Sequence, residues 1–343
     1  MGRRLRYGIL IFSLGLGLPV EVLAQPPLEL QRIPLFPADT TLYLFDSVRV
    51  IDRAERADGY WLYAPVGATD STTVVLFLHG YGGYNPMIYG AWIKHLVRRG
   101  NVVLYPRYQR NVFQPATPQF VPNVLTALRD ARSFIASDPE LPEVDWEQVI
   151  VVGHSYGGVI GAHLATRYAS IGLPRFAGLL ALAPGTAIFK GGLLDDYSQL
   201  PSETVTLIVT NENDQVVGEI FPNHFVRSGP DTLSTYWLRQ LAIETDSLSV
   251  TAHHNEAYAP DLAFDTGVRN FTAQKALRVG RIDAIDLNGY WRWLDAMINC
   301  ARHGWHCELA TGDRMLDFGR SGDLFESVPI HLTLPSPATP SQD

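Results

Sequence analysis

Gly153-His154-Ser155-Tyr156-Gly157 is the stretch whose residue types and spacing most directly imply chemistry. It follows the apolar run Val149-Ile150-Val151-Val152 and precedes Gly158-Val159-Ile160-Gly161-Ala162-His163-Leu164-Ala165, which reads as a helix packed by small residues. A strand, a sharp turn and a helix in that order hold a serine hydroxyl strained and exposed above the C-terminal edge of a sheet. The flanking glycines permit a close backbone approach that a side chain would block. The Tyr156 N–H then lies at a helix N-terminus, where it can stabilise negative charge.

A serine that attacks a carbonyl needs a base to take its proton, an acid to orient that base, and N–H donors for the oxyanion. On a turn of this kind the chain order is serine, acid, histidine. Asp214 is the expected acid, in the loop Asn211-Glu212-Asn213-Asp214-Gln215 after the apolar strand 204–210, with Asp195 and Asp196 as rivals. Its non-catalytic role would be an Asx turn or a cap for a helix beginning near Val216.

The base must follow a last strand. Residues 246–252 supply one, and His253-His254 come at once after it. Adjacent residues at a strand end point to opposite sides, so one of the two faces the serine. His254, a step further into the loop, is preferred, with His253 the alternative. The glycine-rich turn His79-Gly80-Tyr81-Gly82-Gly83 follows the apolar run Val74-Val75-Leu76-Phe77-Leu78 and offers the Tyr81 N–H as a second oxyanion donor beside Tyr156. His79 is expected to brace this turn, His95 and His163 to be helix residues, and His224 to lie in a loop. No Gly-Lys-Ser/Thr follows the glycines and Pro86 begins the next helix, which excludes a phosphate-binding P-loop.

Positioning these groups requires a sheet whose strands end at one edge. Strands are expected at 41–50 and 59–64 around a polar turn at 52–58. A strand–helix alternation follows, with strands at 73–78, 101–105, 148–152, 176–183, 204–210 and 247–251. Helices are expected at 87–99, 118–137, after Ser155 and at 289–303. Continuous buried strands alternating with helices argue an α/β class with a mostly parallel central sheet and helices on both faces.

The chain has 343 residues, enough for one such domain over 40–330. Residues 1–24 read as a signal peptide, with Arg3, Arg4 and Arg6 before the apolar run 9–18 and a small-residue site at Val22-Leu23-Ala24. A Pro-rich extension covers 25–39, and residues 331–343 read as a disordered tail. Export to the periplasm or beyond follows from this leader. Losing three arginines and Glu21 with it would take the formal charge from −8 to −10. That acidity, with no basic run, gives no electrostatic reason to bind nucleic acid or anionic lipid. No segment after the leader is long and apolar enough for a stable membrane span in the mature form.

Cys300 and Cys307 are the two cysteines of the chain. Export favours a disulfide between them, which requires the helix to end near Gly304 so that the chain folds back. Free thiols, or a metal cluster with His303 and His306, are the alternatives.

With these pieces in order, the chain resembles an α/β-hydrolase of the lipase/esterase type over about residues 41–304. The matching residues are 79–83, Gly153-His154-Ser155-Tyr156-Gly157, Asp214 and His253-His254. The resemblance implies the α/β-hydrolase fold and a Ser155–His254–Asp214 triad. It also implies an oxyanion hole from the Tyr81 and Tyr156 amides, cleavage of esters through an acyl-enzyme, and neither cofactor nor metal. The expected partner is a small-molecule ester or lipid-like substrate. Residues 184–203 are too few for the large helical cap that many members insert there, so roofing is expected from 215–245 and 255–288. Tyr81, Tyr84, Tyr89 and Tyr156 point to an apolar pocket. A peptidase or amidase, an acyltransferase, and a non-catalytic binding protein on the same fold are the alternatives.

Overall fold

The computed structural model describes residues 43–69, 71–230, 234–244, 249–283, 285–312 and 325–329. The expected leader, the Pro-rich extension and the tail lie outside the described residues. Two antiparallel strands open the described chain: β1 (Val48–Arg53) and β2 (Tyr60–Pro65). The alternation then runs β3 (Thr72–Leu78), α1 (Gly90–Arg98), β4 (Val102–Pro106), α2 (Phe120–Ser137), β5 (Val144–His154), α3 (Tyr156–Arg167), β6 (Gly178–Leu182) and β7 (Val205–Asn211). After it come α4 (Ile220–Ser228), β8 (Thr235–Gln240), the short β9 (Ile243–Glu244) and β10 (Ser249–Val250), and α5 (Phe271–Val279). A π turn at Asp286–Tyr290 leads into α6 (Trp291–His303), followed by α7 (Cys307–Ala310) and β11 (Phe325–Ser327).

Among the described residues, nine strands form one sheet in the order β1-β2-β4-β3-β5-β6-β7-β8-β11. The pairs from β4 to β8 are parallel, while β2 on β4 and β11 on β8 are antiparallel. Strand β3 explains the unbroken apolar runs. Val74, Leu76 and Leu78 enter a core layer with Val124 and Leu128 of α2 and Val159 of α3. Val75 and Phe77 enter the opposite layer with Trp92 of α1 and Leu294 and Met297 of α6. Both faces are covered, so alternation with polar residues would leave polar groups in one core or the other. The C-terminal ends of β3, β5, β6 and β7 share one edge, where the functional residues gather.

Residues 183–204 connect β6 to β7 by turns, and no large helical cap sits there. The expected roofing segments contain more regular structure than their composition indicated. Within 215–245 lie α4 and β8, and His224 is therefore a helix residue, its Nε2 2.8 Å from Leu194 O. Within 255–288 lies α5, whose N-terminus is capped by Asn270 accepting the Ala273 N–H at 2.8 Å.

The expected last strand at 247–251 also needs correction. Its residues 247 and 248 lie outside the described residues, and Ser249–Val250 pairs with β9 in a separate two-stranded ladder. The last parallel strand of the sheet is β8. Its Arg239 carries ion pairs to Glu219 and Glu326, both at 2.7 Å, and these polar residues near the sheet margin hid the strand's apolar signature.

At the far end of the chain, Gly304 takes φ 68° after α6 and turns the backbone, a conformation that glycine adopts without a Cβ clash. Cys300 and Cys307 lie at disulfide distance, with Sγ atoms 2.01 Å and Cα atoms 4.8 Å apart. Among the described residues, no helix is long and apolar enough to cross a membrane.

Candidate active site

The apolar register of β5 ends at His154, and α3 begins at Tyr156, so one residue must make the whole turn. Ser155 does so at φ 53° and ψ −118°, a region that costs a non-glycine residue about 1–3 kcal/mol. Its backbone is fixed on both sides: the N–H donates to Leu182 O at 2.8 Å, and the carbonyl accepts Gly158 N–H at 3.0 Å and Gly185 N–H at 3.2 Å. Gly157 is there because of space. A Cβ at that position would lie 2.0 Å from Leu78 O.

Strand β7 delivers Asp214 and the segment after β10 delivers His254. The Ser155 O–H donates to His254 Nε2 at 2.9 Å, and His254 Nδ1 donates to Asp214 Oδ2 at 2.7 Å. An ionised carboxylate only accepts, which assigns the proton to Nδ1 and leaves Nε2 to take the serine proton. The Asp214 side chain is 1% exposed. Burial alone pushes its carboxyl up, but the His254 hydrogen bond and charge and the amides of Val216 and Val217 outweigh it. The carboxyl therefore stays below its ordinary value.

Those two amides reach Asp214 Oδ1 at 2.8 and 3.2 Å, so the same side chain forms the Asx turn and orients the histidine, one oxygen for each. The neighbouring helix starts at Ile220 rather than near Val216. Asp195 and Asp196 are exposed, and Asp196 is occupied with Ser198.

The His254 segment is not itself a strand of the main sheet; three polar clamps from the ends of β7 and β8 and the loop after β7 hold it. Asn211 Nδ2 donates to His253 O at 2.5 Å, Gln240 Nε2 to Thr251 O at 2.7 Å, and Asn213 N–H to Ala252 O at 2.9 Å. Tyr290 supports the clamp from beneath by donating to Gln240 Oε1. His253 is exposed and turned away, its N–H bonded to Glu256 at 2.8 Å.

The glycine-rich turn faces Ser155 across a pocket of about 200 Å³ lined by Gly80, Tyr81, Tyr156, Phe189 and Val217 among others. Gly80 N–H is bonded to Tyr89 Oη at 3.1 Å, Gly82 N–H to Gln109 Oε1 at 2.7 Å, and Gly83 N–H to Gly80 O at 2.8 Å. The Tyr81 and Tyr156 amides have no acceptor among the described residues, and both residues line the pocket beside Ser155. His79 is fully buried, stacks on Tyr108 with ring centroids 4.0 Å apart, and sits between Gly80 O and Arg107 O. Burial pushes its imidazole down to about 4, against the two carbonyls that favour a charged ring, so the neutral ring donates to one of them and braces the turn through that bond and the Tyr108 stack. Tyr81 stacks on Phe189 in the pocket wall, whereas Tyr84 and Tyr89 are buried.

His154, which stands in the sequence only as the variable residue of the Gly153–Gly157 stretch, links the two sides of the site. Its Nε2 donates to His254 O at 2.8 Å, its Nδ1 accepts from Tyr89 Oη at 2.8 Å, and Tyr89 Oη accepts from Gly80. Burial and the neighbouring His254 push the His154 ring down to about 3, so it stays neutral and keeps this donor–acceptor pattern. The available signal was a polar residue at the buried end of an apolar strand. Phe271, Thr272 and Lys275 of α5 also line the pocket, on a helix that the sequence pattern does not mark.

A hydroxyl, imidazole and carboxylate so linked, beside two free amides, can move a proton off the serine as its oxygen attacks a carbonyl. No curated protein matches the sequence significantly. The Alpha/beta hydrolase family matches residues 75–329, from within β3 to just beyond β11. With its mostly parallel sheet, helices on both faces and well over half of its length matched, the chain belongs to the alpha/beta hydrolase family.

Proposed function

We propose that the protein is an exported serine hydrolase that cleaves carboxylic esters of small or lipid-like molecules through a Ser155–His254–Asp214 triad. His254 deprotonates Ser155 as Oγ attacks the ester carbonyl, and the Tyr81 and Tyr156 amides take the oxyanion. Asp214 steadies the imidazolium, which then protonates the leaving alkoxide. Water, activated by the same imidazole, releases the acid from the acyl-enzyme. The observation that carries this reading is the continuous relay from Ser155 Oγ through His254 to a buried, ionised Asp214, at 2.9 and 2.7 Å.

Export is supported by the basic and apolar leader sequence and by the cysteine pair at disulfide distance. One experiment addresses both claims: intact mass of the protein from a host given the full sequence, before and after a fluorophosphonate probe. The expected product begins at Gln25 and gains a single adduct, mapped to Ser155. A chain that keeps residues 1–24 would overturn export, and an absent or misplaced adduct would overturn the triad.

A further inference from the structure

A second depression of about 670 Å³ adjoins the Ser155 pocket and shares Val216, His254, Asn255 and Lys275 with it. Three cations line this groove: Lys275 and Arg278, one turn apart on α5, and Arg281 just beyond the helix. Arg281 is committed to Asp283 at 2.8 Å and to Thr251 Oγ1 at 3.0 Å. Among the described residues, Lys275 and Arg278 have neither an ion-pair partner nor a side-chain hydrogen bond.

The acid in the groove wall is Glu256, which accepts the His253 N–H at 2.8 Å and whose carboxyl is pushed up by burial. The groove is therefore locally positive on a chain of formal charge −8. A solvated helix face would account for Arg278 alone. It does not account for Lys275, which is half-buried and lines the serine pocket itself.

We propose that this groove binds an anionic group, such as a carboxylate, on the alcohol part of the ester, with Lys275, the cation common to both cavities, setting the preference. The alcohol side is assigned because the groove opens beside His254, which hands its proton to the leaving oxygen. The other half of the substrate lies against the apolar wall of Phe189 and Val217. This inference rests on Ser155 being the nucleophile.

The test is the ratio of kcat/KM for 3-carboxyphenyl butyrate over 3-carbamoylphenyl butyrate, which differ in charge at one position. The full-length protein should prefer the carboxylate by about fivefold, the scale of one partly exposed ion pair. Lys275→Met should bring the ratio close to one, and Lys275→Arg should restore it. General damage would lower both rates together and leave the ratio alone. A ratio unchanged in Lys275→Met overturns the proposal. So does a charge preference found only on the acyl side, read with a phenyl hemisuccinate against its amide.

If neither ester is cleaved and no fluorophosphonate adduct forms, the hydrolase reading fails on its own. Calorimetric binding of 3-hydroxybenzoate then still reads the groove. Binding weakened about fivefold in Lys275→Met supports the site, and undetectable or unchanged binding rejects it.

Discussion

Ser155 is held where backbone packs on backbone, whereas Asp214 and His254 lie in loops tied by individual hydrogen bonds. On the serine side, a Cβ on Gly157 would sit 2.0 Å from Leu78 O and one on Gly153 would sit 2.4 Å from Gly157 C. On the acid–base side, Asn211, Gln240 and Asn213 tie down residues 251–253 through individual hydrogen bonds. Close packing is all-or-none, because interiors have no spare volume, while a clamp of several bonds loses its grip in steps. His154 crosses the divide: it is the neighbour of Ser155 in the chain yet bonds the backbone of His254.

The contrast is most sharply broken at Gly157. Gly157→Ala forces a methyl against a backbone oxygen that cannot rotate away, and should cost about 4 kcal/mol or more, or prevent folding altogether. Thermal melting of the variant would settle it, and a melting temperature within a few degrees of the wild type would refute rigid packing around the turn.

Acid should strike next, through the buried rings. His79 and His154 are pushed down to about 4 and 3 by burial, and His163 is also lowered. Each binds a proton more readily in the unfolded chain, whose imidazole keeps its ordinary value near 6.5. Their contribution is fully present above pH ~6.5 and is lost as pH falls towards their folded values. Each of the two fully buried rings, His79 and His154, adds up to about 1.4 kcal/mol per pH unit within its window. Urea unfolding at pH 7, 6 and 5 should show this decline, and His154→Gln should flatten it by about one proton. Identical slopes for the two proteins would mean that His154 does not titrate on unfolding.

The smallest stability effect is expected on the clamped side. Asn211→Ala removes the bond to His253 O and the longer one from Tyr290 Oη, and should cost about 1–2 kcal/mol while leaving the fold cooperative. If His254 acts as proposed, kcat should fall about tenfold with KM little changed, because that bond holds the His254 segment. A loss confined to KM would show that the clamp does not position His254.

The same contrast explains what the sequence made legible. The strands β3, β5, β6 and β7 are apolar on both faces and read as buried runs, so the parallel sheet and the turn at Ser155 followed from local pattern. Asp214 stood out as a carboxylate at the end of such a run. Beyond it the signals weakened. Strand β8 mixes Trp237 and Leu238 with Arg239 and Gln240, and α5 presents Gln274, Lys275 and Arg278 among its apolar residues. Their identities are set by contacts distant in sequence, such as Arg239 with Glu219 and Glu326. His154 was passed over for a related reason: its partners Tyr89 and His254 lie 65 and 100 residues away.

Turnover of p-nitrophenyl butyrate by the wild type and by Ser155→Ala, with matched melting temperatures, tests the central claim most directly. The substitution should lower kcat by about 10⁴-fold or more while the protein stays folded. Ester cleavage by folded Ser155→Ala at a substantial fraction of the wild-type rate would contradict it.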